Sequence, residues 1–252
     1  MKLKGIAFTV FLGVVLAVAL WCSVLAESRR PGMAGGTATL YFPHVPTGAG
    51  YSTELIITNF SDSESAVGVI QFYEINGVPA SLDINGRAQS EVPLDISAYG
   101  SVTLRAQAPV SDPVRRVYAI ASTDNPVNGA VIFQSGPSIA GMNAGPLIQR
   151  FLVPVQSIVS RDINTGLAFL NVDDKDTTIE LVLNNEQGGE VARMEFTLEG
   201  NHQTARFLTE YFPTVDLSNF RGTVVGAGKT AVGGLAILLY GSQLASLPLS
   251  TG

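Results

Sequence analysis

Ala192, Met194, Phe196 and Leu198 alternate with Arg193, Glu195 and Thr197, the period of two expected of a β-strand with one wet face. Ile70 and Phe72 around Gln71 repeat the pattern, and Glu74-Ile75-Asn76-Gly77-Val78 follows. Asn-Gly supplies the positive φ values of a type I′ turn, so a hairpin is predicted there. Asn185-Glu186-Gln187-Gly188-Gly189 holds the same place later in the chain, and Asn85-Gly86 marks another turn. Val117–Ser122 and Gly129–Gln134, separated by Asp124-Asn125-Pro126, read as a further pair of strands; Gly222–Gly226 with Gly233–Tyr240 read as its counterpart. Helical spacing is confined to Ala205–Tyr211, where Phe207, Leu208, Tyr211 and Phe212 fall three and four apart before Pro213 stops the run.

These patterns recur. Thr53, Leu55, Ile57 and Asn59 match Thr165, Leu167, Phe169 and Asn171, each 112 positions on. Tyr41-Phe42-Pro43-His44-Val45 resembles Leu152-Val153-Pro154-Val155, and Val127–Phe133 resembles Val232–Leu238, 105 positions on. A drifting offset is what loop insertions produce. Two copies of about 105 residues, each of six or seven short strands with turns every 8 to 12 residues, predict an all-β chain of two tandem antiparallel β-sandwiches. The expected boundaries are a signal peptide at 1–26, a connector at 27–36, the first sandwich at 37–138, a Gly/Ser/Pro-rich linker at 139–149 and the second sandwich at 150–252.

The signal rests on Lys2 and Lys4, the sixteen-residue apolar run Ile6–Trp21 broken only by Thr9 and Gly13, and small residues at Val24 and Ala26. Basic start, apolar middle and small-residue exit are the marks of an export signal. The run is short of the roughly 20 residues of a membrane span, so membrane contact is expected only through this segment if it stays uncleaved. A lipid on Cys22 would need a small residue before it, where Trp21 stands.

Export changes the composition. Fifteen Lys and Arg against twenty-one Asp and Glu give −6 over 252 residues; cleavage after Ala26 leaves 226 residues at −8, without the only Cys and the only Trp. That excludes disulfides, thiolate metal sites, Cys nucleophiles and Trp sugar platforms, and it disfavours nucleic acid as a partner. Charged residues make up 14% of the chain, against roughly 25% in ordinary soluble domains. Only Lys175 and Lys229 remain among the lysines to guard edge strands, so packing between the copies or against a partner is expected to cover some edges.

Candidate chemistry is sparse. The histidines are His44 after Phe42-Pro43 and His202 in a turn; no Gly-Asp-Ser-Gly, nucleophile elbow or Asp-Thr-Gly accompanies them. No catalytic residue is assigned, and the chain is read as a non-enzyme, with a secreted hydrolase as an alternative. Asp62 and Glu64 line up with Asp174 and Asp176 at the 112 offset. Carboxylates clustered at loop tips are the hard oxygen donors Ca²⁺ requires, although an ordinary polar turn accounts for the same residues. Tyr51, beside Gly48-Ala49-Gly50, is the aromatic expected to be exposed, and with His44 it is the candidate for ligand or carbohydrate contact. Asn59 and Asn171, ending matching strands, are expected to bond their own turns.

The segments Tyr41-Phe42-Pro43-His44-Val45, Gly48-Ala49-Gly50-Tyr51 and Thr53-Glu54-Leu55, with Ala205-Arg206-Phe207-Leu208, Phe212-Pro213 and Phe220-Arg221-Gly222-Thr223, make the chain resemble a loose group of uncharacterised exported bacterial proteins with tandem immunoglobulin-like sandwiches. The resemblance implies fold and export, and no activity or functional residues. The expectation is a non-catalytic interaction or structural module, secreted, periplasmic or on the cell surface, that contacts another envelope or extracellular protein or itself; a calcium- or carbohydrate-binding module is the alternative.

Overall fold

The computed structural model describes residues 38–251; the expected signal peptide and connector lie outside the described residues. The chain is all-β. Its strands are β1 Ala38–Thr47, β2 Tyr51–Asn59, β3 Ala66–Glu74, β4 Leu82–Ile84, β5 Arg87–Gln89, β6 Glu91–Ile96, β7 Ser101–Gln107, β8 Arg115–Thr123, β9 Val127–Ser135 and β10 Ser138–Asn143. There follow β11 Ile148–Ile158, β12 Ile163–Leu170, β13 Thr177–Asn185, β14 Glu190–Leu198, β15 Gln203–Phe207, the single turn α1 Leu208–Tyr211, β16 Asn219–Tyr240 and β17 Gln243–Leu247. Helix was expected from Ala205, but β15 runs to Phe207 because residues 166–170 of β12 pair with it.

All pairings between strands are antiparallel, in a four-stranded sheet β1-β8-β3-β6, a six-stranded sheet β10-β9-β2-β7-β4-β5, and a seven-stranded sheet β14-β13-β16-β11-β12-β15 with β17 on β16. The first two sheets close face to face over one core. Phe42, Ile70 and Phe72 enter it from one side and Leu55, Ile57 and Phe133 from the other, each contributing about 1.5–3 kcal/mol by burial. In the third sheet β16 changes partners along its length: residues 219–228 lie between β11 and β13, and residues 233–240 pair with β12. Val153, Val155, Ile179 and Leu181 from one end then face Leu167, Phe169 and Ala236 from the other, closed by Leu208, Tyr211 and Phe212.

Val117–Ser122 and Gly129–Gln134 are strands, within β8 and β9, and lie in different sheets, the chain crossing between them at residues 124–126. Two sequence expectations are corrected. Gly222–Gly226 and Gly233–Tyr240 are not two strands but parts of the single β16, because its internal glycines stay extended. The expected linker, 139–149, holds all of β10 but Ser138, and β10 pairs with β9 from Ser138↔Ser135 to Asn143↔Ala130.

Turn chemistry divides the two Asn-Gly pairs. Asn85 (φ 53°) and Gly86 (φ 83°) both take positive φ, as a type I′ turn needs; at Asn76-Gly77 only Gly77 does, at φ 80°. The Glu74 N–H donates to Val78 O and the Gly77 N–H to Glu74 O; Asn185 with Gly189, and Gly188 with Asn185, repeat that pair of bonds.

β12 and the later part of β16 are covered on both faces. Leu167 and Phe169 point into the second core, while Ala168 and Leu235 join the first. A sheet buried on both faces reads as a continuous apolar run, which accounts for Leu235–Leu239. Free edges are also covered: Gly145 bridges to Tyr41 on β1, and Ser250 to Leu152 on β11.

Candidate functional site

Where the outer face of β12, β15 and β16 meets the first two sheets, a half-open cleft of about 370 Å³ remains, within the range of small-molecule sites. Its walls are apolar, with Pro46 and Phe133 on one side and Ala168, Leu235, Ile237 and Leu244 on the other; Tyr51, His44, Arg116, Arg206 and Glu210 supply the polar groups. The sequence candidates His44 and Tyr51 therefore line one cleft.

His44 sits on β1 at a shift in the β1/β8 register between Phe42 and Val45. Its ring lies 6.2 Å from that of Phe133. Gln203 Nε2 stands 3.2 Å from His44 Nδ1. Burial, with the neighbouring Arg116 guanidinium second, lowers its pKa to about 4, so the ring is neutral at neutral pH and its Nδ1 accepts the Gln203 amide proton. Gln203 Oε1 is buried and has no hydrogen-bond partner among the described residues.

Both arginines are exposed. Arg116 Nη1 donates to Ala205 O at 3.1 Å, and the Arg206 guanidinium lies 5.8 Å from the Tyr211 ring centre. Among the described residues neither forms an ion pair, whereas Arg105, Arg115 and Arg193 do. Glu210 accepts the Phe207 N–H at 2.7 Å. Arginine 116 and 206 carried no signal in the sequence, since isolated exposed charges read as solvated surface.

The same region holds the contact between the two halves. Gln203 N–H donates to Ile75 O at 2.8 Å, and Tyr118 Oη to Asn201 O at 3.0 Å. Gly77 lies against Asn201: a Cβ there would stand 2.8 Å from Asn201 O. A second groove, of about 460 Å³, is lined by Pro154, Gln156, Glu186, Gly188, Arg221 and Thr223.

The remaining candidates stay apart. Asp62 Oδ1 accepts from Ser63 Oγ at 3.0 Å, and Asp176 Oδ1 accepts the Gly200 N–H at 3.1 Å. Glu64 and Asp174 are exposed in the two corresponding turns. No group of three or more His, Cys, Asp or Glu side chains placed to hold a metal occurs among the described residues. His202 is held locally, by Gly200 O at 2.8 Å and Glu199 at 3.3 Å.

Asn59 and Asn171 are buried staples. Asn59 Nδ2 donates to Glu64 O, Ile96 O and Ser97 O, and Asn171 Nδ2 to Lys175 O, Leu198 O and Glu199 O. Each Oδ1 accepts the N–H two residues on, from Ser61 and from Asp173.

No protein-family model matches the chain, and no curated protein does. Among solved structures, an anti-sigma factor domain-containing protein aligns over 85% of this chain and 83% of its own, at a TM-score of 0.21 and 7% identity. A likeness of that degree carries no argument.

Proposed function

We propose that the chain is an exported, non-catalytic interaction module built by duplication of one immunoglobulin-like sandwich, and that its contact surface is the groove on the second sandwich. Strand order supports the duplication: β1-β8-β3-β6 corresponds to β11-β16-β13-β14, and β10-β9-β2-β7 to β17-β16-β12-β15, with β4 and β5 as an insertion in the first copy. The matched three-carbonyl staples of Asn59 and Asn171 support it further.

One observation carries the contact surface. Gly77 and Arg116, which receive the second sandwich's Asn201 and Ala205, correspond in their ladders to Gly188 and Arg221 of the 460 Å³ groove. The first sandwich's docking surface is filled by an edge strand of the second; its counterpart on the second sandwich is open. An exposed edge strand of another envelope or extracellular protein is the occupant that fits, offering backbone carbonyls to Arg221 and main-chain groups to the 185–189 turn.

The export signal, 1–26, belongs to this reading through its sequence alone. His44 supports the non-catalytic part, since its ring partner is the Gln203 amide; both ring nitrogens of His202 are engaged by its own turn, through Gly200 O and Glu199. The test is photo-crosslinking from position 186 in envelope fractions of the producing cell, with and without Arg221→Glu. A discrete cross-linked partner, lost in the variant, is expected. Cross-linking unaffected by Arg221→Glu, or only between copies of this chain, would overturn the assignment of another protein to the groove.

A further inference from the structure

We propose that the cleft between the two sandwiches is a binding site for an apolar monocarboxylate, a molecule with one hydrocarbon body and one carboxylate end. The cleft is a different surface from the groove assigned above, so the two assignments stand or fall separately.

The body of the ligand is specified by the walls. Pro46, Phe133, Ala168, Leu235, Ile237 and Leu244 meet there from both sandwiches, and removing a chain of methylenes from water gains about 0.8 kcal/mol for each CH₂. The cleft lies where two sandwiches abut, a common place for such sites. His44 adds no charge to that wall, because the ring is neutral at neutral pH.

The end of the ligand is specified by charge. Arg116 and Arg206 line the same cleft without an ion-pair partner among the described residues. Glu210 is the only acid in the lining, and its carboxylate is engaged by the Phe207 N–H at the start of α1. The lining therefore carries a formal +1 in a chain whose net charge is −6. Arg116 spends one N–H on Ala205 O and keeps others, and a planar guanidinium fork matches a carboxylate better than any neutral head group. An ammonium end would meet two like charges there.

Gly166 gives a clean control. It lines the cleft, its φ is not positive, and a Cβ added to it would meet nothing closer than the Phe207 ring at 3.8 Å. A leucine at this position fills the cleft without backbone strain. Isothermal titration of the purified chain with decanoate, decanol and decyltrimethylammonium is the experiment, with the melting temperature of each variant recorded beside it. Decanoate is expected to bind one to one, and decanol about tenfold or more weakly, as a charge-assisted hydrogen bond predicts. Arg206→Gln is expected to remove most of that difference by weakening decanoate alone, and Gly166→Leu to abolish binding of both at an unchanged melting temperature. Decanol or the ammonium binding as tightly as decanoate, full binding retained in Gly166→Leu, or no binding by any of the three would overturn the proposal.

Discussion

His44 shows how far one side chain feels the packing of distant strands. Its pKa is lowered from 6.5 to about 4, first by burial and then by Arg116. The unfolded chain, with an ordinary imidazole, binds a proton between those two values that the folded chain does not. Stability is therefore complete above about pH 6.5, falls as the solution is acidified, and has lost the whole contribution below about pH 4. The proton also meets a donor, because the Gln203 amide already points at Nδ1. By linkage the loss between pH 7 and pH 4.5 amounts to about 2–3 kcal/mol. Urea unfolding at both pH values, on the parent chain and on His44→Gln, isolates it from the carboxylates that titrate nearby. The parent is expected to lose that much more than the variant, and equal losses would remove His44 as the cause.

At the scale of elements, the staples explain why two turns far apart in sequence hold together. Asn171 directly follows β12, yet its amide reaches carbonyls before β13 and at the end of β14. Asn171→Ala leaves these carbonyls without a donor in a position that is 0% exposed, which costs about 2–3 kcal/mol. Urea midpoints would read this as a lower midpoint at an unchanged slope; a change under about 0.5 kcal/mol would mean that the turns hold without the amide. The matching positions of Asn59 and Asn171 were visible in the sequence, as were the bonds each makes to its own turn, because that pattern is local; the reach of each amide to a second turn was not. The strand alternation was legible for the same reason. What escaped was decided at long range. β16 reads as two strands because glycines resemble turn signals, but Gly226 is extended beneath the Phe151 ring, where the pairing of β11 and β16 leaves no space for a Cβ. β10 reads as linker because its polarity does not follow its faces: Ser138 is buried while Ile139 is left 64% exposed.

On the scale of the whole molecule, the cleft exists only because one sheet of the second half turns its outer face to the first. Nothing local in Arg116 or Arg206 announces this, and the sequence yields His44 and Tyr51 as isolated candidates without the wall that unites them. The outer face is apolar: Ala168 is 2% and Leu235 3% exposed, and both belong to the first core cluster. The two halves should consequently unfold together, since separating them exposes that shared core. A far-ultraviolet circular dichroism melt of the parent chain is expected to give one transition. Ala168→Asp puts a carboxylate into the shared face at a position 2% exposed, and the cost of burying it is relieved when the halves part. The second core, built on Leu167, Phe169 and Ile179, does not include residue 168. The variant is therefore expected to melt in two steps, the first at least about 5 °C below the parent. A single lowered transition in Ala168→Asp would mean that neither half stands without the other, and two transitions in the parent would mean that the shared face does not couple them.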